Sequence, residues 1–176
     1  MENQFESEKG LFEEPKEYAS FWQRFVAYLI DGVVLGIPLA ILTIIIITIF
    51  FGSTGATDIL MSSAYGGELT DEEALTFLGT YLSAVFVSIL INFVIAVAYY
   101  AGLHASKWQG TVGKKLLGIK VTDLHGNRIS FWRGLGRYAA MGFLSGIFMI
   151  GFIMAAFTEK KQALHDMIAG TLVVKK

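Results

Sequence analysis

Leu75 to Ala101 is a run of 27 residues without one charged side chain, and Phe25 to Phe51 is another of 27 in which Asp31 is the single exception. A bilayer hydrocarbon core of about 30 Å is crossed by about 20 helical residues, so each run is long enough to span with some tilt. The first ends in Ile41-Leu-Thr-Ile-Ile-Ile-Ile-Thr-Ile-Phe-Phe51, which by propensity alone favours a strand. A lone strand in lipid leaves its backbone groups unsatisfied, so helix is expected at both. A third apolar block, Tyr138 to Phe157, is interrupted by Gly142, Gly146 and Gly151. It reads either as a third span or as a re-entrant hairpin. Charged residues make up 16% of the chain and hydrophobic ones 54%. Soluble domains carry about 25% charge, so a soluble enzyme, a disordered chain and a nucleic-acid-binding domain are all disfavoured. The absence of cysteine excludes disulfides and thiolate metal sites.

The net charge of −1 conceals a strong segregation. Residues 1–20 form an acidic tail, and the whole stretch before the first span carries Glu2, Glu6, Glu8, Glu13, Glu14 and Glu17 against Lys9, Lys16 and Arg24. Such a flank does not suit a cleaved signal peptide. The loop 52–74 has Asp58, Glu68, Asp71, Glu72 and Glu73 and no Lys or Arg, whereas 102–137 has Lys107, Lys114, Lys115, Lys120, Arg128, Arg133 and Arg137 against Asp123 alone. Basic residues beside spans mark the cytoplasmic side. The 102–137 loop and the N-terminus are therefore expected inside and the 52–74 loop outside. The tail, with Lys160, Lys161, Lys175 and Lys176, stays inside if 138–157 re-enters and is exported if it spans. Leu117–Asp123 and Thr171–Lys175 both read as short strands, and His125-Gly126-Asn127 as a hairpin turn before Arg128-Ile129-Ser130. Pairing of the last strand with that hairpin favours the re-entrant alternative.

Within the first span Arg24, Tyr28, Asp31, Leu35 and Pro38 fall on one helical stripe. A carboxylate at membrane depth is costly and must face protein, water or a partner charge. Ser88, Asn92 and Tyr99 share a stripe of the second span, and the depth of Asn92 matches that of Asp31, so a contact between these two is expected. Ser130 reads as the N-cap of an interfacial helix through Arg133 and Arg137. Trp108 and Trp132 are suited to anchor at the interface, and the basic loop to attract anionic lipid headgroups. His104 and His125 are expected to be solvated. Gly110-Thr-Val-Gly-Lys-Lys115 lacks the first glycine and the Ser/Thr of a phosphate loop and is rejected as a nucleotide site.

Three separated stretches, FWQRFVAYLID (Phe21 to Asp31), GTVGKKLLGIKVTDLHGNRIS (Gly110 to Ser130) and ALHDMIAGTLVV (Ala163 to Val174), together resemble the RDD family of small bacterial membrane proteins. The resemblance covers about residues 18–51 and 76–176, with Val112 standing where many members have proline. It implies that the family's arginine and two aspartates are Arg24, Asp31 and Asp166. It also implies a multi-pass protein of a bacterial plasma membrane and, for its activity, either transport, with cation/proton antiport among the activities claimed for members, or regulation of another membrane protein.

The expected fold is therefore an all-α integral membrane protein with a small cytoplasmic β-structure. Its membrane domain covers 21–176, with spans at about 25–51 and 75–101, a membrane segment at about 138–157 and a basic loop at 102–137. The candidate site is a polar cluster of Arg24, Asp31, Asp166, His165 and Asn92, with no cofactor, no metal and no catalytic constellation. Three readings of it stand: transport of a cation or small solute, a structural lock in a non-enzymatic scaffold, and a small-ligand site. Partners would be the bilayer and a second copy or another membrane protein, with no nucleic acid. Gly32-x-x-x-Gly36 and Gly142-x-x-x-Gly146 offer close helix packing for such an assembly.

Overall fold

Two long helices dominate the computed structural model, which describes residues 17–145 and 150–176. Helix α1 is Phe21–Thr54, α2 is Ala56–Ala64 and α3 is Asp71–Val97. Helix α3 continues through a π-helical turn at Ala98–Gly102 and a last turn at Leu103–Ala105. Both long helices exceed the sequence-based spans by one turn or more at their ends. The β-branched run of α1 is helical throughout, as the unsatisfied backbone of a lone strand demands. Among the described residues these two helices are long and apolar enough to cross a membrane, and only 6% and 17% of their most apolar windows are buried. A core helix of a soluble protein would be mostly covered; here Leu29, Val33, Ile37, Ile41, Ile44, Phe86 and Phe93 are exposed instead. Such a surface fits lipid.

The chain divides into two compact units. The first combines residues up to Ile30 with Tyr100–Lys176, and the second is Asp31–Tyr99.

In the second unit, α3 starts at a complete capping box. Thr70 Oγ1 accepts from the Glu73 amide, and Glu73 Oε2 accepts from the Thr70 amide at 2.9 Å. Asp71, Glu72 and Glu73 in that first turn also suit the positive end of the helix dipole. Polar side chains bridge α1 and α3 at three levels. Thr80 donates to Thr54 at 3.0 Å, Asn92 Nδ2 donates to Thr43 at 2.9 Å, and the Tyr99 hydroxyl donates to Asp31 at 2.7 Å. A side chain built at Gly32 or Gly36 would meet nothing within 4 Å, so packing inside the chain does not use that pair. Gly146 lies outside the described residues.

The first unit contains the β-structure. Strand β1, Ile119–Asp123, pairs antiparallel with β2, Thr171–Lys175, in the register Ile119 to Lys175 and Asp123 to Thr171. The other edge of β2 is closed by the strap before α1. There the Ala19 amide donates to the Val173 carbonyl at 2.9 Å and the Lys175 amide to the Glu17 carbonyl at 2.8 Å, around a bridge between Tyr18 and Val174. The free edge of β1 is covered by Gln109, whose carbonyl accepts from the Val121 amide at 2.6 Å. Among the described residues, both outer edges of this sheet are thus partly covered, which limits the addition of a further strand. Ala19, Ala27, Ile119, Val121, Ile129 and Val173 form the core beneath.

The expected hairpin is corrected in one respect. Asp123 Oδ1 accepts from the amides of His125 and Asn127, making a side-chain-stabilised turn. Arg128–Ser130 does not return as a strand: one edge of β1 is paired with β2 and the other meets Gln109.

Helix α4, Val112–Leu116, precedes β1. Helix α5, Phe131–Ala140, begins at the N-cap Ser130, whose hydroxyl accepts from the Arg133 amide. It exposes Phe131 and Trp132 and buries Gly134, Arg137 and Ala140. Of the block expected to lie in the membrane at 138–157, residues 146–149 lie outside the described residues; the described parts are the end of α5, a π-helical turn Met141–Ser145, a short helix α6, Ile150–Ile153, and a 3₁₀ turn Met154–Ala156. Helix α7, Leu164–Ala169, ends at Gly170 in the left-handed conformation and leads directly into β2.

Candidate functional site

At the base of the first unit lies a buried ionic cluster centred on Asp166, which is 0% exposed. Asp166 stands in the first turn of α7, where its Oδ2 reaches back to accept from the Ala163 amide at 3.2 Å. The same oxygen accepts from Arg24 Nη1, at the start of α1. Its Oδ1 accepts from Arg137 Nε at 2.7 Å and lies 2.5 Å from Arg137 Nη2. The Thr171 hydroxyl, at the first position of β2, sits 3.4 Å from that oxygen. One carboxylate thus ties together α1, α5, α7 and the start of β2. Charge-assisted, two-pronged contacts of this kind are among the strongest hydrogen bonds a protein makes.

Two histidines flank the arginines. His104 is buried and its Nε2 lies 3.3 Å from Arg137 Nη1. A guanidinium only donates, which assigns Nε2 as the acceptor and leaves the proton on Nδ1. His165 Nε2 is 3.7 Å from Asp166 Oδ1, beyond hydrogen-bond length. Burial, reinforced by the Arg137, Lys114 and Arg24 cations, pushes the His165 imidazole down to about 3. The ring is therefore neutral near pH 7, and its neighbourhood to Asp166 is not an ion pair. Burial alone would raise the Asp166 carboxyl, but the Arg137 and Arg24 guanidiniums overrule it and hold it well below the usual carboxylate range.

Both shifts act on stability in the same direction. Between the ordinary histidine value and about 3 the unfolded chain binds a proton at His165 that the native chain excludes. Below the ordinary carboxylate value the same holds for Asp166. Stability is expected to fall as pH drops below about 6.5, each proton difference contributing a slope of about 1.4 kcal/mol per pH unit. Denaturation of the detergent-solubilised chain from pH 8 to pH 4 checks this, and His165→Gln should remove one proton's worth of slope at the upper end. An unchanged slope would mean that the ring is not held neutral.

The expected cluster is realised only in part. Arg24, Asp166 and His165 come together as described. Asp31 and Asn92 belong to the second unit, and the contact expected between them is replaced by two others: Tyr99 donates to Asp31, and Asn92 donates to Thr43. Depth along the helix explains the exchange: Tyr99 lies two turns beyond Asn92 on the same stripe and is level with Asp31, whereas Asn92 is level with Thr43. Arg137, expected at the interface, and His104, expected in solvent, are both buried, 5% and 4% exposed. A signal for Arg137 existed in the sequence. It repeats at three-residue spacing with Gly134 and Ala140, small residues that mark a packed helix face. His125, in contrast, is exposed.

A model of the RDD family matches residues 18–170, a range that contains the Asp166 cluster and Asp31. The chain belongs to the RDD family. It is 48% identical over 160 residues to the uncharacterized protein YxaI of Bacillus subtilis (strain 168), covering 90% of this chain and 97% of YxaI. The uncharacterized membrane protein YteJ of the same organism is 29% identical over 157 residues, covering 89% of this chain and 80% of YteJ. The uncharacterized protein RP437 of Rickettsia prowazekii (strain Madrid E) is 33% identical over 102 residues, covering 56% of each. No solved structure matches the chain. With two helices of spanning length, this RDD-family chain is a membrane protein.

Proposed function

We propose that this RDD-family chain is a non-enzymatic membrane scaffold in which Arg24, Asp166 and Arg137 form a structural clasp. The observation that carries the reading is the saturation of Asp166. Oδ2 is taken by Arg24 and the Ala163 amide, and Oδ1 by the Arg137 fork. A carboxylate so engaged has little left to offer a passing cation or proton. Its value lies in fixing one arrangement of four elements, a role buried ion pairs fill even when they add little net stability.

The sheet supports a matching topology. The strap 17–19, β1 in the basic loop and β2 at the C-terminus are hydrogen-bonded to one another, and segments so joined must share one side of a bilayer. The basic loop favours the cytoplasm for that side. Segment 138–157 then enters and returns to the same side. A reporter fused after Lys176 is expected to read as cytoplasmic and one inserted near Ser63 as exterior; an exterior C-terminus would overturn the arrangement. As a scaffold the chain would act through its apolar helix faces on a second copy or another membrane protein, with exposed Lys107, Lys115, Arg128 and Arg133 near anionic headgroups.

A second reading, cation transport, is favoured by one observation. Asp31 is 0% exposed, lies within the first span and accepts from Tyr99, and intramembrane carboxylates commonly mark ion paths. Proton flux in proteoliposomes of the purified chain separates the two. The clasp reading expects cation-independent, background flux in wild type and Asp31→Asn alike. A cation-driven flux abolished by Asp31→Asn would replace it with transport.

A further inference from the structure

Beside the clasp, and wholly within the first unit, lies a cavity of about 400 Å³. Its walls are mostly apolar and aromatic, with Phe25, Tyr28, Tyr100, Met141 and Ile153 among them, and Arg24, Arg137 and Lys114 add cationic groups to the lining. This combination of apolar walls and a few convergent polar groups is that of a ligand site, and the volume falls in the usual range of about 300–1,000 Å³. The clasp leaves the polar part of the lining positive, because two guanidiniums share the single carboxylate of Asp166. Arg24 Nη2 is buried and has no hydrogen-bond partner among the described residues. A buried guanidinium N–H left unpaired costs free energy unless something accepts from it. No Asp or Glu lines the cavity among the described residues, so the complementary ligand group is an anion.

The position of the cavity narrows the class further. Part of its lining comes from the first two turns of α1 and the last turns of α3, which is the level where spanning helices leave the hydrocarbon. Phe25, Tyr28 and Leu29 on this stretch of α1 are 39%, 48% and 52% exposed, an apolar surface beside the aromatic wall. We propose that the cavity binds the head of an anionic phospholipid from the adjoining leaflet, its phosphate on Arg24 and Arg137 and its acyl chains leaving past Phe25 and Tyr28. The cavity has room for a phosphate with its glycerol and the first acyl carbons, not for two enclosed chains. The inference does not depend on the scaffold reading, since Arg24 holds Asp166 through Nη1 while Nη2 takes no part in the clasp among the described residues.

The test uses the full chain reconstituted in phosphatidylcholine vesicles doped with a minor fraction of phosphatidylglycerol, extracted in detergent and weighed intact by native mass spectrometry. One retained phosphatidylglycerol per chain is expected, in preference to phosphatidylcholine, with a rise in melting temperature on adding that lipid. Met141→Trp and Ile153→Trp fill the walls without touching the clasp, and each should lower retention about tenfold or more while the circular dichroism stays that of wild type. Three results would overturn the proposal: no preference for the anionic lipid, retention unchanged in both folded tryptophan variants, or equal protection by inorganic phosphate alone, which would make the site one for free phosphate.

Discussion

Asp166→Ala is expected to destabilise the chain by about 3–5 kcal/mol, the usual cost of removing one member of a buried ion pair. The loss is large because of what remains. The side chains of Arg24 and Arg137 are 11% and 6% exposed, and without Asp166 two desolvated guanidiniums face each other with no shared anion. The Ala163 amide also loses its acceptor. Asp166→Asn keeps the volume but removes the charge, so it should recover little of the loss. Denaturant titration of the solubilised chain measures both. A double-mutant cycle between Asp166 and Arg137 should return a coupling of about 1.5–3 kcal/mol, the range for hydrogen bonds to charged groups. If Asp166→Ala were within about 1 kcal/mol of wild type, well below that cost, the cluster would not be a clasp.

Gly113→Ala should come next in severity. A Cβ on Gly113 would lie 2.2 Å from the carbonyl oxygen of Ala27 and 2.9 Å from its carbon. These are backbone atoms of α1, so no rotamer change relieves the overlap and α4 must move away from α1. Ala27, in the core shared with Ile119 and Val121, would be pulled from its packing. Overpacking typically costs about 1–3 kcal/mol, and the upper end is expected where the neighbour is helix backbone. Gly134→Ala, whose Cβ would sit 3.1 Å from the Ala101 carbonyl oxygen, should cost less. Gly32→Ala, with nothing within 4 Å, should change stability by no more than about 0.5 kcal/mol, as at an unencumbered surface position. Equal effects at Gly113 and Gly32 would contradict the docking of α4 on α1. The glycines that superficially suggest a phosphate loop thus include one held by packing.

The long uncharged runs alone determined that α1 and α3 are helices of spanning length, because lipid offers an unpaired backbone no alternative. β-branched residues likewise marked Leu117–Asp123, of which Ile119–Asp123 is the strand, and Thr171–Lys175, and Ser130 announced the start of α5 through its capping chemistry. These signals are local, carried by residues within one or two turns of each other. Partner choice is not. That β2 takes the strap 17–19 on one edge and β1 on the other, that Arg137 turns inward to Asp166, and that Tyr99 rather than Asn92 meets Asp31 all depend on residues far apart in the chain, 142 positions in the case of Arg24 and Asp166. A hydrogen bond is decided by helical phase and distances of a few tenths of an ångström. Burial is likewise a property of what packs above a residue, which is why a loop histidine such as His104 read as solvated and proved to be enclosed. The sequence therefore settled which segments become helix or strand, while only the tertiary structure decided which charges meet, because that requires the packed backbone to bring them within hydrogen-bonding reach.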